Sequence, residues 1–521
     1  MKKYTCILLL IVTSIMATAS QQFRNPMLWA DVPDPDVIRV GDFYYMTSTT
    51  MHLMPGGPVM RSKDLVNWET VSYLFDSLTD SPKYNMENGT VYGRGQWATS
   101  LKYHDGTFYA LFAPNDNPGR DTYIYTTKDP CKGWILHSRL PHFHDASLFF
   151  DDDGRVYVFS ATGRLQELNS DLKGIKIGGT DTTLFKRDLD ETGLLEGSRA
   201  IKYNGRYYLI MISWPNGKPR RQVCYRSDNI TGPYEKKVIL EDNFAGFPYV
   251  GQGTIVDSND GKWYGVIFQD RGAIGRVLTL MPCRWTDGWP MLGDEKGKVP
   301  EVMDKPVDGC ENIPLVISDD FNEDKLKINW QWNHNPIDTA WNLTEHKGFL
   351  RLKTSRIVDN IFAAPNTITQ RMSGPVCSGS IVIDISNMKD GDRAGLAAFN
   401  GDSGLLTISN ENGKTYLSMQ TASVKLSEKD KLIESVDISD KSRIAIKAKT
   451  LYLRIDGDFN LGKDIATFYY STNGMKWHKT GLPFKMQFDY RRFFMGTKYA
   501  IFNYATKTSG GYVDIDTFSF H

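Results

Sequence analysis

The chain has 521 residues, and its 61 basic and 61 acidic side chains leave no net charge. That length calls for more than one hydrophobic core, and the charge balance excludes a protein that holds nucleic acid by electrostatic attraction. The 26 Tyr, 26 Phe and 12 Trp suit β structure and offer ring faces for stacking on sugars.

The first segment reads as a leader. Lys2 and Lys3 precede an apolar run from Cys6 to Met16 that is too short to span a bilayer, and Ala17-Thr18-Ala19 supplies small residues for cleavage. Residues 1–20 are therefore expected to be removed, and the mature protein exported to a periplasm or secreted. Five cysteines follow the leader (Cys131, Cys224, Cys283, Cys310 and Cys377), unpaired in spacing, so at most one disulfide is expected. No CxxC or His-x-x-x-His pattern marks a transition-metal site, and no later segment has transmembrane length.

Residues 21–293 carry a recurring signal. Five tight turns each run directly into an aromatic strand: Gly41-Asp42-Phe43, Asp105-Gly106-Thr107-Phe108, Asp153-Gly154-Arg155-Val156-Tyr157, Asn204-Gly205-Arg206-Tyr207 and Asp260-Gly261-Lys262-Trp263. Asn-Gly and Asp-Gly turns supply the positive φ angles of two-residue hairpins. They recur roughly every 50–65 residues, the scale of one propeller blade with its loops. The pattern predicts a five-bladed β-propeller, whose inner strands converge on a central funnel.

Residues 294–317 mix charge, Pro and Gly without periodicity and read as a linker. From Ser318 to His521, short alternating strands such as Gly348–Lys353 and Ser380–Ile385 are separated by turns such as Asn473-Gly474. This texture predicts a second all-β unit, a concanavalin-like β-sandwich.

Three carboxylates stand out among small or apolar neighbours. Asp34 lies between Pro33 and Pro35, which hold the backbone extended before the first blade. Asp145 precedes the run Ala146-Ser147-Leu148-Phe149-Phe150, and Glu196 follows two leucines and precedes Gly197. A turn aspartate flanked by prolines, or one that opens a strand, is the competing structural reading of the first two. All three fall at blade starts, so one funnel could gather them. Carboxylates so gathered suit glycoside hydrolysis, in which one takes a proton from water and another gives one to the leaving oxygen.

Further motifs add to this reading: Asn25-Pro26, Gly41 through Thr49, Trp97-Ala98-Thr99-Ser100, His144 through Gly154, Glu196-Gly197-Ser198, Phe268 through Arg276, and Asp287-Gly288-Trp289-Pro290. In their order and spacing the chain resembles glycoside hydrolase family 43, with the sandwich that follows xylosidase-type members. The resemblance implies an inverting, exo-acting hydrolase of pentose-containing plant polysaccharides or oligosaccharides. It implies Asp34 as general base, Glu196 as general acid, and Asp145 as the carboxylate that orients the acid and tunes its pKa. Arg276, Trp97, His52 and Gln252 are implied as substrate contacts.

Three departures accompany it. Ala146 and Thr99 stand where relatives commonly have Pro. Gly251 stands near Gln252-Gly253, where many relatives place a His that holds a central calcium. No metal is therefore required by the site residues, and a calcium there would need another ligand, with Gln252 nearest. The Met51–Gly56 loop, expected to line the sugar pocket, is similar to that of arabinofuranosidase-leaning relatives, and this resemblance implies terminal α-L-arabinofuranosyl over β-D-xylosyl residues. A β-xylosidase, a dual activity and a non-catalytic carbohydrate-binding protein stay open as alternatives.

Overall fold

The computed structural model describes residues 21–116, 121–247 and 250–521. The leader expected at 1–20 lies outside the described residues. Among them, no helix is long and apolar enough to cross a membrane.

Five four-stranded antiparallel sheets follow one another along the chain. Their inner strands are Asp36–Val40, Gln96–His104, Ser147–Phe150, Leu194–Tyr203 and Val250–Asp257. Each packs on the next, and the fifth packs on the first, so the ring of blades closes. The five recurring turns lie between the first and second strands of each blade. Gly41, Gly106, Gly154, Gly205 and Gly261 all have φ between 61° and 81°, and a Cβ at any of them would meet nothing within 4 Å. Glycine serves the backbone there and not the packing.

Every blade is built from one continuous stretch, so ring closure falls to the segments outside the blades. Gln22–Arg24 pairs antiparallel with Val302–Asp304, inside the segment read as a linker. Phe23, Val32 and Leu315 join Val37, Met46, Val266 and Leu278 in one core between blades five and one. Residues 294–317 thus pack on the propeller: Val299 is buried, and its backbone N–H is bonded to Asp242 at 2.9 Å.

The second unit is a sandwich of two eight-stranded sheets. Alternating inward residues fill it, including Ile381, Ile383, Leu451, Leu453, Ile455, Val513 and Ile515. One sheet ends on a strand from the propeller: Leu53–Met54 pairs with Gln331–Asn333. At this seam His52, Tyr92, His334 and Phe493 form a buried aromatic cluster, with Tyr92 stacked on Phe493 at 4.1 Å. The His334 backbone N–H donates to the His52 carbonyl at 3.1 Å. Cys131, Cys224, Cys283, Cys310 and Cys377 are all free.

Candidate active site

The inner strands do not run straight into the funnel. Those of blades two, four and five slip register near their starts, between Gln96 and Thr99, Glu196 and Arg199, and Val250 and Gly253. Such bulges re-aim side chains at the end of a strand. They release Trp97, Glu196 and Gln252 toward the axis, where all three line one cavity of about 790 Å³. Blades one and three reach the cavity by another route. Asp34 and Asp145 hold left-handed backbone angles, φ 53° and 46°, unusual for residues other than glycine, so the extended backbone expected of Asp34 between its two prolines is corrected. Both carboxylates also line the cavity.

Asp34 sits in a polar cradle and is 8% exposed. The Thr49 hydroxyl donates to its Oδ2 at 2.6 Å, and Arg276 Nη1 donates to both oxygens at 3.2 and 3.3 Å. At the same cavity, Asp145, Glu196 and His144 bring one polar atom each within 4.8 Å of one another. His144 Nε2 meets Glu196 Oε2 at 3.0 Å, and that partner pushes the imidazole pKa up to about 9. Burial, followed by the nearby Glu196 charge, pushes the Asp145 carboxyl up to about 7. Burial and the neighbouring negative charge thus favour a proton on Asp145 up to near neutral pH.

Beneath this floor the propeller axis carries a fixed cation. Arg199 is fully buried, and its guanidinium donates to the carbonyls of Ser198, Asp34 and Thr99 at 3.0, 3.2 and 3.4 Å. Those bonds tie blades one, two and four together. Its charge is met by the buried Asp36 at 3.6 Å, whose other oxygen accepts from the Leu101 N–H at 2.9 Å.

The cavity wall is completed by the sandwich, through Phe488, Tyr490 and Phe494. The Phe494 ring lies 4.5 Å from the Arg276 guanidinium carbon and 5.9 Å edge-on from Trp97. Its carbonyl accepts from Arg276 Nη2 at 2.9 Å.

Residues 23–290 match the family model described as Glycosyl hydrolases family 43, and residues 318–521 match the Beta xylosidase C-terminal Concanavalin A-like domain. The chain belongs to glycosyl hydrolases family 43. It is similar to a beta-xylosidase of Formosa agariphila, 30% identical over 96% of this chain and 90% of that protein. It is 29% identical to a non-reducing end α-L-arabinofuranosidase of Bacteroides ovatus, over 84% of each chain. Among solved structures, a bifunctional GH43-CE protein of Bacteroides eggerthii superposes with TM-score 0.88 at 40% identity. The match covers 96% of this chain and 64% of that one.

Of the site residues read from the sequence of this family 43 member, Asp34, Asp145, Glu196, Arg276, Trp97 and Gln252 share the cavity. His52 does not, and its reading as a sugar contact is corrected. It is 1% exposed in the seam, and burial holds its pKa well below the ordinary value. The cause lies in the next two residues, which pair into the sandwich sheet and draw the loop away, leaving Met51 alone of that loop at the cavity. Three contributors escaped the sequence reading. His144 adjoins Asp145 and was within reach of it. Arg199 has the signal of a charged residue two positions after Gly197, directly before the apolar Ala200-Ile201. Phe494 lies 460 residues beyond Asp34, and nothing local points to it.

Proposed function

We propose that this family 43 glycosidase is an exo-acting, inverting hydrolase that removes single pentosyl residues from the non-reducing ends of plant polysaccharides or oligosaccharides. One observation carries the reading: Asp145 and Glu196, gathered with His144, line one walled cavity with a third, separately cradled carboxylate, Asp34. Asp34 is the general base. Arg276 and Thr49 fix its orientation, so its free lone pairs point at a water beside the sugar. Glu196 is the general acid that protonates the leaving oxygen. Asp145, its own carboxyl raised by burial, tunes that acid from beside it, and His144 orients Glu196 through its 3.0 Å contact. Trp97, Met51 and Phe494 give the sugar apolar contacts, and Arg276 and Gln252 give it polar ones. The sandwich wall supports exo action, because it rises beside the carboxylates.

Between the two pentoses, β-D-xylosyl is the first substrate class. The preference for arabinofuranosyl rested on the Met51–Gly56 loop facing the sugar, and only Met51 does so. Relatives bearing both names support a secondary α-L-arabinofuranosidase activity.

Catalysis in this reading needs no resident metal. The calcium that the family implies does not fit the residues present. Gly251 offers no side-chain ligand and its carbonyl already accepts from Gln222 Nε2, and a Cβ there would lie 2.0 Å from the Phe268 ring, so no ligand side chain can be built at that position without displacing the ring. The axis below the carboxylates already holds the Arg199 guanidinium, which repels a second cation. We further propose that the protein acts after export. The test is the product: incubation with linear xylo-oligosaccharides, followed by proton NMR of the anomeric signals, should give xylose in the α configuration together with the oligosaccharide one residue shorter as the only initial products. A first product of β configuration, or internal cleavage, would overturn the reading.

A further inference from the structure

Asp31 is 2% exposed, carries a full carboxylate, and contacts no substrate-facing atom, yet it grips both halves of the molecule at once. Its Oδ1 accepts from the backbone N–H of Arg276 at 2.9 Å, and its Oδ2 accepts from the backbone N–H of Gly496 at 2.9 Å. Lys498 of the sandwich lies 3.5 Å from the same Oδ2, and Arg371 Nε donates to the Asp31 carbonyl at 3.0 Å. The Arg276 carbonyl accepts in turn from the Val32 N–H at 2.8 Å. The main chain of Arg276 is thus held on both sides by two consecutive residues, Asp31 and Val32.

The two gripped segments also approach too closely for side chains. A Cβ at Gly275 would lie 2.3 Å from Asp31 Oδ1 and 2.8 Å from the Gly496 Cα. A Cβ at Gly496 would lie 2.1 Å from the Ile274 carbonyl oxygen. Two glycines therefore leave room for one carboxylate to serve two chains. What those chains carry gives the contact its consequence. One carries Arg276, which holds Asp34. The other carries Phe494, two residues before Gly496, whose ring and carbonyl both meet the Arg276 guanidinium.

We infer that Asp31 is a positioning residue for hydrolysis: it sets the register of the Phe494 wall against Arg276, and so makes the sandwich part of the catalytic pocket. The inference rests on the proposed reading of Asp34 and the pentosyl pocket. An amide in place of the carboxylate would present Nδ2 to one of two backbone donors, and that donor would lose its acceptor. The wall would loosen and weaken sugar binding in ground and transition states alike, while Arg276 would wander from Asp34. KM should therefore rise and kcat should fall.

A double-substitution cycle separates this from simple loss of stability. With a nitrophenyl pentoside, Asp31→Asn is expected to lower kcat/KM about tenfold, but less than threefold when Phe494→Ala is already present, because the effect passes through that ring. Gly496→Ala, which keeps the Asp31 charge but pushes the Gly496 segment away from the Ile274 carbonyl, should repeat the pattern and serves if Asp31→Asn does not fold. Equal effects in both backgrounds, or unchanged kinetics, would overturn the inference. Hydrogen exchange reads the same contact without catalysis: Asp31→Asn should raise exchange across 488–497 and 272–276, and unchanged exchange there would also overturn it. Failure of the wild type on every pentoside would instead count against the proposed function, leaving exchange to decide the role of Asp31.

Discussion

His144→Asn tests how the buried Asp145 carboxyl keeps its proton. The imidazole rises from 6.5 to about 9 beside Glu196. At 1.36 kcal/mol per pH unit this is ~3 kcal/mol of preference for the imidazolium. The side chain is 37% exposed, and water screens that preference to about 1–2 kcal/mol. The imidazolium also acts on Asp145, whose carboxyl it pulls down from where burial and Glu196 would otherwise place it. Asparagine keeps a donor near Glu196 but removes the charge. The alkaline limb of kcat/KM, expected near pH 7 in the wild type from Asp145, should therefore move upward by about one pH unit. Stability has its own sign. A pKa raised in the folded state stabilises fully below 6.5 and loses that contribution as pH rises through about 9. The wild type should lose about 1–2 kcal/mol of unfolding free energy over that window, and the variant should lack this slope. The corresponding loss from Asp145 falls between its ordinary 3.8 and about 7 in the wild type and extends about one pH unit higher in the variant, so that difference is subtracted before the two slopes are compared. The assays are kcat/KM on a nitrophenyl pentoside from pH 5 to 9.5 and urea unfolding at pH 6 and 9.5. An alkaline limb that stays in place, or moves down, would refute the reasoning.

Other outcomes follow from the same geometry. Phe494→Ala removes the ring over Arg276 and one wall of the cavity; a cation–π contact of about 0.5–2 kcal/mol corresponds to a ~2- to 30-fold loss of kcat/KM, carried mainly by KM. An unchanged KM would place the sugar elsewhere. Arg199→Met strands Asp36 without its cation, and urea unfolding should register a loss of about 3–5 kcal/mol. A loss below 1 kcal/mol would mean that water reaches the axis. Incubation with EDTA should leave kcat/KM and Tm unchanged, and added calcium should not raise either. Restoration of activity by calcium after chelation would contradict the axial role given to Arg199.

The fold was legible because its signals are local. Each hairpin turn announces itself within five residues, as Asn204-Gly205 does before Arg206–Trp214, and the backbone angle at its glycine is what the turn chemistry requires. Asp34 and Asp145 were legible for a related reason, since each sits where its neighbours make a surface charge out of place. What could not be read was contact across the seam. His52 looked available to sugar until Leu53–Met54 paired with Gln331–Asn333, nearly 280 residues away. Val302–Asp304 looked like linker because a three-residue strand has no periodicity, and its partner is at the other end of the propeller. The wall formed by Phe488, Tyr490 and Phe494 belongs to the same class. Their identity as aromatics was visible, but which of many aromatics faces the cavity depends on how two units dock.

The central claim is that Asp34 and Glu196 hydrolyse a terminal pentoside as base and acid. Its most direct test is release of nitrophenol from β-D-xyloside and α-L-arabinofuranoside by the wild type, Asp34→Asn and Glu196→Gln, each confirmed as folded by its melting transition. The expected result is turnover by the wild type, faster on the xyloside, and at least a 10³-fold loss of kcat/KM in both variants. Wild-type-like turnover in either variant, or no turnover of either substrate by the wild type, would contradict it.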